Sequence, residues 1–223
     1  MTRGTRGAGR MFAGDRLPED REMPPTPPRS NAANIAVTRR AFLGVAGLAI
    51  AGGTLAMLRR GALAQVPHVV AAPEDVLIVE YTAAGARIGE RRVPKIVKTD
   101  TEWWNELTPI AFDVTRRADT EEPFSGAYLN NHEAGLYRCI CCDTALFSSA
   151  TKFDSGTGWP SFTAPLAKEN LVEIVDLSLG LTRTAVSCRR CDAHQGHVFD
   201  DGPKPTGLRY CINSVALRFV KFA

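Results

Sequence analysis

Hydrophobic and polar positions along the 223-residue chain change their pattern at about residue 135. From there on, short runs rich in β-branched and aromatic residues are separated by Gly, Pro, Asp and Ser: GLYRCI, LVEIVD, TRTAVSC, HVFD and LRYCINSVALRFV. No stretch of helical period lies between them, which favours antiparallel sheets over strand-helix-strand units. The C-terminal part is therefore predicted to be β-rich, and its last run is predicted to be one strand.

The segment before residue 135 predicts two strands and two short helices. EDVLIVEY is typical of a strand, and TAAGARIGERRV indicates a turn at Gly85 followed by a second strand. Thr99 and Glu102 have the spacing of a helix-starting capping box, while Thr108-Pro109 is typical of the start of a second helix. The predicted fold is mainly β, with two antiparallel sheets in a sandwich or barrel-like core and short N-terminal helices that pack their aromatic residues on it.

The N-terminal 64 residues have a different composition. Residues 1–34 are rich in Arg, Pro and Gly and are expected to be disordered, because they offer little apolar surface to bury. Arg39-Arg40, a Gly/Ala-rich apolar run to Leu58 and the small-residue end Ala62-Leu63-Ala64 together resemble a twin-arginine export signal. Cleavage after Ala64 would release a periplasmic protein. The alternative is retention as an inner-membrane anchor, since the apolar run approaches the roughly 20 residues needed to span.

Charge follows the same division of the chain. Residues 1–64 carry ten Arg and four acidic residues, whereas the remainder carries 17 basic and 20 acidic residues, a net charge of −3. The absence of a basic block in that remainder excludes the electrostatic pattern of a nucleic-acid binder. The expected organisation is a leader at 1–64, a linker with two strands at 65–94, and one functional domain at 95–223, which is expected to be a monomer.

Four of the six cysteines form two CxxC pairs, Cys139/Cys142 and Cys188/Cys191. Two such pairs supply the four thiolates of a tetrahedral structural zinc site. In an oxidising compartment the same four could instead form disulfides. Zinc is favoured because twin-arginine export moves proteins that have already folded, so the metal can be loaded in the cytoplasm.

A second possible zinc set combines the second CxxC pair with His194 and His197. These histidines follow the pair too closely to bind the same ion comfortably, and this set would leave the first pair without a metal. The four-cysteine site is therefore the prediction.

Cys141 and Cys211 remain after the four cysteines are assigned. In a strand, Arg209, Cys211 and Asn213 share one face because side chains alternate. An arginine on that face favours the thiolate and is expected to lower the thiol pKa, which makes Cys211 a candidate nucleophile. The alternative is a buried structural cysteine, a common fate for free cysteine.

Three motifs resemble those of a known family. SGTGWPSF (155–162), CRRCDAHQGHVFDDGP (188–203) and RYCINS (209–214), together with both CxxC pairs, closely resemble the B-type methionine-R-sulfoxide reductases from about Lys95 to the C-terminus. The resemblance implies that Cys211 attacks the sulfoxide sulfur of oxidised peptides and proteins and becomes a sulfenic acid. It implies a structural zinc ion and a thioredoxin-like or other thiol electron donor.

The resemblance also implies roles for the neighbouring residues. His194 and His197 would supply protons, with Asp201 placed to contact substrate or to orient one of them. Arg209 and Asn213 would bind substrate or steady the thiolate. An aromatic wall for the substrate methyl group would come from Trp159, with help from Phe199.

The chain departs from the family pattern at Thr157. Many members carry a second, resolving cysteine in this slot, and its disulfide with Cys211 is not possible here. Either Cys141 replaces it, or an external thiol reduces the sulfenic acid directly, which is favoured because Cys141 lies in a constrained turn. Two other functions stay open from the residues alone: a zinc-knuckle binding module with Cys211 in its core, and a dithiol-disulfide oxidoreductase that uses the CxxC pairs.

Overall fold

The N-terminal part of the domain is a β-hairpin. A computed structural model describes Met23 and residues 74–222 of the chain. Strands β1 (Asp75–Tyr81) and β2 (Arg87–Pro94) pair antiparallel, as the sequence predicts. The turn between them contains Gly85 at φ 80°, in the left-handed region that glycine adopts without strain.

Two short helices follow the hairpin. Helix α1 (Asp100–Glu106) begins with the predicted capping box, in which the Thr99 side chain accepts from the Glu102 N–H and the Glu102 side chain accepts from the Thr99 N–H. Helix α2 (Pro109–Arg117) starts at Thr108, whose hydroxyl accepts from the backbone of Ala111. Trp103 and Trp104 are buried in the core, which confirms the expected packing of this region.

The remaining strands form two further antiparallel sheets. A three-stranded sheet has the order β11-β3-β4, with β3 at Gly135–Cys139, β4 at Ala145–Ser148 and β11 at Leu217–Lys221. A six-stranded sheet has the order β5-β6-β10-β9-β8-β7. Its strands are β5 (Lys152–Phe153), β6 (Ser161–Phe162), β7 (Leu171–Asp176), β8 (Arg183–Cys188), β9 (His194–Phe199) and β10 (Arg209–Ile212). Every pair in both sheets is antiparallel, which confirms the mainly β fold class.

The core lies between these two sheets. Phe147 of β4 stacks on Phe162 of β6 with ring centroids 4.6 Å apart, and Tyr137 of β3 meets Phe162 edge-on at 5.0 Å. The buried side chain of Asn170 accepts from the N–H of Val79 and donates to the carbonyls of Val79 and Ala145. One amide therefore ties the N-terminal hairpin to the three-stranded sheet with all its polar groups satisfied.

The prediction of one long C-terminal strand is wrong. A single 3-10 turn at Ser214–Ala216 divides this segment, so β10 belongs to the six-stranded sheet and β11 to the three-stranded sheet. The buried carboxylate of Glu121 fixes the turn by accepting from the backbone N–H groups of Ser214 (2.7 Å) and Val215 (3.0 Å). The apolar pattern continues through the turn because both strands face the same core, so the pattern alone does not show the break.

Apart from Met23, the predicted leader at 1–64, including the proposed signal at 39–64, lies outside the described residues, and the predicted domain boundaries stay predictions. Among residues 74–222, neither helix is long and apolar enough to cross a bilayer.

Candidate active site

Cys211 is near the end of β10, in the middle of the six-stranded sheet. It lies opposite Ser161 of β6 on one side and opposite His197 of β9 on the other. Its neighbours Tyr210 and Ile212 are buried in the core, so Cys211 faces the other side of the sheet. There it lines a cavity of about 120 Å³ together with Trp159, Phe199 and other residues. The alternative of a core cysteine is therefore wrong.

A β-bulge in β9 brings the two histidines of the HxxH motif to one face. Residues three apart in a regular strand point to opposite faces. In β9, however, Val186 pairs with Gly196 and Ser187 with His194, so Gln195 is an extra residue. The rings of His194 and His197 consequently lie 5.3 Å apart on the side of Cys211.

Gly196 allows β9 and β10 to approach each other at this bulge. Its φ is 152°, and a Cβ atom there would lie 2.0 Å from the carbonyl oxygen of Cys211. A side chain at this position would push apart the two strands that carry Cys211 and His197.

Asp176 at the end of β7 orients His197. Its Oδ2 lies 2.8 Å from His197 Nε2 and 2.7 Å from the guanidinium of Arg183. Hydrogen bonds from Ser178, and then from His197, hold the pKa of Asp176 below its ordinary value. The carboxylate is therefore ionised and only accepts, which places the proton of this hydrogen bond on His197 Nε2. The prediction that Asp201 orients a histidine is wrong, because Asp176 takes that position.

His194 is more deeply buried than His197. Burial, and then the neighbouring His197, lower the pKa of His194 to about 4. Its Nε2 has no hydrogen-bond partner within residues 74–222. His194 is therefore neutral at pH 7, and its Nε2 is free to form a hydrogen bond with a bound molecule such as water.

Arg209 and Asp201 form a paired wall beside the cavity. Arg209 Nε and Nη2 each lie 2.8 Å from a carboxylate oxygen of Asp201, which is a bidentate ion pair. The guanidinium lies over the ring of Phe199, 4.4 Å from its centroid. Arg209 therefore holds the Phe199 ring in place through stacking.

The thiol of Cys211 is less acidic than the sequence suggests. Burial raises its pKa, and this outweighs the hydrogen bond from Thr157 and the charge of Arg209, both of which lower it. The Asp201 carboxylate also raises the pKa of Cys211. The expected lowering by Arg209 is present, but the expected net direction is wrong, because burial of the thiol outweighs it.

Trp159 is held at the cavity by a hydrogen-bond network that includes Asn213. Its Nε1 donates to the carbonyl of Glu121 (3.1 Å), and the N–H of Glu121 donates to Asn213 Oδ1 (3.0 Å). Asn213 Nδ2 donates to the carbonyl of Gln195 (3.0 Å). Asn213 also lines the cavity, and its remaining N–H is the one group that it can offer to a substrate.

A chain of hydroxyl groups lies beside Cys211. Thr157 Oγ1 is 3.9 Å from Cys211 Sγ and 2.9 Å from Ser155 Oγ, which is in turn 2.7 Å from Ser161 Oγ. Position 157, where the resemblance implies a resolving cysteine, therefore faces the candidate nucleophile but carries an alcohol.

The two CxxC pairs form turns of the same shape. In each, the residue after the second cysteine has a left-handed backbone, at φ 61° for Asp143 and 57° for Asp192, and donates its N–H to the carbonyl of the first cysteine. The first turn follows β3 and the second follows β8, so the pairs come from different sheets. A metal ion between them would link the two sheets.

The four sulfur atoms fit a tetrahedral metal ion. All lie within 4.8 Å of one another, with Cys139 Sγ 3.7 Å from Cys191 Sγ and Cys142 Sγ 3.4 Å from Cys188 Sγ. Zn–S bonds of about 2.3 Å in a tetrahedron separate the sulfurs by about 3.8 Å. None of the four is in a disulfide, and neither histidine of the second possible zinc set belongs to this cluster of described residues.

The thiol pKa values and the hydrogen bonds to the sulfur atoms also favour a cation between the four cysteines. Burial raises the pKa of Cys139, whereas hydrogen bonds from neighbouring thiols, first of all Cys139, lower the pKa of Cys142. Four thiolates so close together require a positive charge between them. Gln195 Nε2 donates to Cys139 Sγ and the Thr144 hydroxyl lies 3.2 Å from Cys142 Sγ, which are the contacts that thiolate ligands accept.

Cys141 lies in the first turn, away from the cavity lining. Its Sγ is 3.5 Å from the hydroxyl of Thr115 on α2, whereas Cys211 has Thr157 as its neighbour. The two remaining thiols therefore lie in different surroundings.

Four residues at the site were not predicted from the sequence: Asp176, Arg183, Thr120 and Glu121. The cavity lining includes Arg183 and Thr120, Asp176 contacts His197, and Glu121 carries the hydrogen bonds of Trp159 and Asn213. None of the four lies in SGTGWPSF, CRRCDAHQGHVFDDGP or RYCINS, so no motif singles them out.

Comparison with known proteins agrees with this geometry. Residues 107–221 match the family model described as SelR domain. A peptide methionine sulfoxide reductase MsrB of Herminiimonas arsenicoxydans is 58% identical over 125 residues, which cover 56% of this chain and 91% of that protein. Proteins with the same name are 59% identical over 121 residues in Thioalkalivibrio sulfidiphilus (54% of this chain, 88% of that protein) and 54% identical over 125 residues in Hahella chejuensis (56% and 90%). The chain therefore belongs to the SelR-domain family of B-type methionine-R-sulfoxide reductases.

Proposed function

We propose that this chain reduces methionine R-sulfoxide in peptides and proteins to methionine. The observation that carries the proposal is the position of Cys211, whose thiol lines a small cavity with Trp159 and Phe199 and lies opposite His197. Membership of the SelR-domain family supports the same reaction.

The chemical step transfers one oxygen atom. The Cys211 sulfur attacks the sulfoxide sulfur and forms a transient S–S bond while the sulfoxide oxygen takes up a proton. The oxygen then passes to the Cys211 sulfur as the sulfoxide S–O bond and the transient S–S bond break, which leaves a sulfenic acid on Cys211 and releases methionine as the thioether. The sulfoxide sulfur is reduced by two electrons and the cysteine sulfur is oxidised by two. The thiol proton that Cys211 loses is balanced by the proton of the sulfenic acid, so the step needs a group that moves protons.

His197 and His194 are the groups that can move this proton. His197 lies opposite Cys211 and is fixed by Asp176, so its ring is oriented before substrate binds. His194 is neutral, and its unpartnered Nε2 can form a hydrogen bond with a water molecule. A neutral and an anchored imidazole side by side suit transfer to and from the sulfoxide oxygen near neutral pH.

Trp159 and Phe199 supply the apolar contacts to the substrate. The Trp159 ring is held by its hydrogen bond to Glu121, and Arg209 stacks on the Phe199 ring. Sulfur and methyl contacts with aromatic rings contribute about 0.3–1.5 kcal/mol each. Two fixed rings distinguish the methyl group from the oxygen and thereby favour one sulfoxide epimer.

The electron donor is proposed to be an external thiol, such as that of a thioredoxin-like protein. Thr157 supports this, because the group beside Cys211 at this position is an alcohol that cannot form a disulfide. Cys141 makes its contact with Thr115 instead. A sulfenic acid condenses readily with an accessible thiol, which a second thiol then displaces.

The metal is proposed to be zinc, held by the four cysteines of the two CxxC turns. A closed four-thiolate tetrahedron is the usual structural site of this ion, and it leaves no open position for substrate. The ion would stabilise the junction of the two sheets.

Export is proposed from the sequence alone. The twin-arginine pattern at Arg39-Arg40 and the Ala62-Leu63-Ala64 end support recognition by the twin-arginine machinery and a periplasmic location, with an N-terminal inner-membrane anchor as the alternative. Fusing residues 1–64 to a reporter that works only outside the cytoplasm, with Arg39-Arg40→Lys-Lys as control, tests this. Equal export of both fusions would contradict it.

The experiment that tests the activity uses the two epimers of a peptide methionine sulfoxide with dithiothreitol as reductant. We expect turnover of the R epimer only, and none by Cys211→Ser, while this variant keeps its metal and its melting temperature. Residual activity of Cys211→Ser would show that another group is the nucleophile.

A further inference from the structure

The face of the six-stranded sheet that carries Cys211 continues into exposed apolar surface. The strand register places Cys211 opposite His197, His197 opposite Ala185, and Ala185 opposite Ile174. These four residues form one row across β10, β9, β8 and β7, all on the same face. The row ends at Ile174, whose side chain is 58% exposed.

Phe124 marks the opposite side of the cavity. Its N–H donates to the carbonyl of Gly158, next to Trp159 in the loop that leads into β6. It has a left-handed backbone at φ 65°, which is rare for a bulky side chain, and it is 68% exposed. A Cβ atom at Gly158 would lie within 3.1 Å of the Phe124 ring, so the two residues are in close contact. Backbone strain that holds an aromatic ring in solvent is typical of functional sites.

The cavity itself accommodates only the end of a side chain. Its volume of about 120 Å³ is smaller than the roughly 300 Å³ at which sites for whole small molecules begin. The residues on either side of an oxidised methionine must therefore lie outside it, on the surface between Phe124 and Ile174.

This surface combines exposed apolar groups with paired charges. The two arginines beside the cavity are each paired with a carboxylate, Arg209 with Asp201 and Arg183 with Asp176. An approaching polypeptide therefore meets the exposed side chains of Phe124 and Ile174 on either side of these ion pairs. Exposed apolar surface that adjoins an active site is typical of an interaction surface.

We propose that a polypeptide substrate binds in an extended conformation across the strands, with an apolar residue on Phe124 and another on Ile174 while its oxidised methionine enters the cavity. The proposal rests on the proposed function and adds a preference for apolar residues near the methionine. Neighbouring strands are about 4.8 Å apart, so Ile174 lies about 14 Å from Cys211. An extended chain spans that distance in about four residues.

The test uses a labelled ten-residue peptide that carries one central methionine R-sulfoxide among leucines, and N-acetyl-methionine R-sulfoxide as the small substrate. Phe124→Asn keeps a residue that tolerates a left-handed backbone, and Ile174→Thr keeps a good strand former. We expect each to lower the peptide-to-small-substrate ratio of kcat/KM by about fivefold or more, which is a loss of binding outside the reacting centre. Val97→Asn, which removes an equally exposed apolar side chain between β2 and α1, should preserve the ratio.

Peptide binding is measured separately in a Cys211→Ser background, where no turnover occurs. Weaker binding in the Phe124→Asn and Ile174→Thr variants supports the docking surface even if the intact protein reduces neither substrate, in which case only the proposed function is wrong. An unchanged ratio and unchanged peptide Kd would overturn the docking proposal. So would a defect seen with a thioredoxin-like donor but not with dithiothreitol, because the surface would then bind the reductant.

Discussion

Cys211 Sγ and Thr157 Oγ1 lie 3.9 Å apart, within hydrogen-bond reach of a thiol. Thr157 continues into hydrogen-bonded hydroxyls at Ser155 and Ser161. The position beside the nucleophile thus stabilises charge on sulfur through a hydrogen bond but cannot resolve a sulfenic acid covalently. The side chain at position 157 therefore decides whether the Cys211 sulfenic acid is resolved within the protein or by an external thiol.

Thr157→Cys is expected to convert the enzyme to internal resolution. Its sulfur would replace an oxygen that already lies close to Cys211 Sγ, within reach of a disulfide after turnover. Both proteins in the comparison carry Cys141→Ser, which removes the competing thiol. After one turnover without reductant, mass spectrometry should show that the protein with Thr157→Cys is two hydrogens lighter. The protein that keeps Thr157 should carry a sulfenic acid that dimedone traps. A dimedone adduct of equal yield in Thr157→Cys would show that the two sulfurs do not meet.

Asp176→Asn is expected to lower kcat by about tenfold or more, because the neutral amide holds the His197 ring and its Nε2 proton less firmly. KM and the melting temperature should stay close to those of the wild type. Exposed Asp75→Asn is the matched control. An unchanged kcat would mean that Asp176 is only structural.

The sequence predicted most of this site because its residues sit in continuous motifs with fixed spacing. The two CxxC pairs, the HxxH motif and the alternation of Arg209 and Cys211 all depend on local geometry. Asp176 was missed because it reaches His197 through the pairing of β7 with β8 and of β8 with β9, and this register is not visible in a single strand. The same reason explains the wrong assignment of a histidine contact to Asp201.

In the fold, too, the features set by neighbouring residues were predicted from the sequence, and those set by distant residues were not. Capping at Thr99 and Thr108 and the turn at Gly85 are short-range effects, and the sequence predicted them correctly. The break at 214–216 depends on Glu121, more than ninety positions away, and could not be inferred from the alternating pattern around it. Strands β5 and β6 have two residues each, too few to give a period.

Iodoacetamide labelling of Cys211 tests the balance of charges around the thiol. Because burial raises its pKa, the midpoint of the labelling rate should lie above 9.0, the ordinary value for this thiol. Asp201→Asn should shift the midpoint to lower pH, because it removes a negative charge that raises the pKa and leaves the Arg209 charge unshared. Asp200→Asn, at an exposed neighbouring position, is the control. A shift to higher pH in Asp201→Asn would contradict this account.

Cys139→Ser is expected to lose metal and stability together. The buried hydroxyl is a poor ligand, and without the ion the two sheets lose their link near β3 and β8. Metal content should fall from about one per chain, and the melting temperature should fall by about 10 °C or more. Cys141→Ser removes a thiol from the same turn but from outside the sulfur cluster, and should keep the metal. Equal metal loss in both variants would argue against the four-cysteine site.

Glu121→Gln tests whether one buried carboxylate supports both the fold and the active site. Its two oxygens accept from the N–H groups of Ser214 and Val215, and an amide of the same shape turns one acceptor into a donor facing a donor. Because the side chain is buried, the free energy of unfolding should fall by about 2 kcal/mol, measured by urea titration of the metal-loaded protein.

The same substitution should also reduce activity, since the backbone of Glu121 holds Trp159 and Asn213 at the cavity. We expect a higher KM for the sulfoxide, with a smaller change in kcat, because the aromatic wall is displaced while Cys211 and His197 stay in their strands. The exposed neighbour provides the control, since Glu122→Gln should change the unfolding free energy by less than about 0.5 kcal/mol. A stable Glu121→Gln protein with normal KM would mean that the turn at 214–216 does not depend on the carboxylate, and that Trp159 is positioned by its own packing.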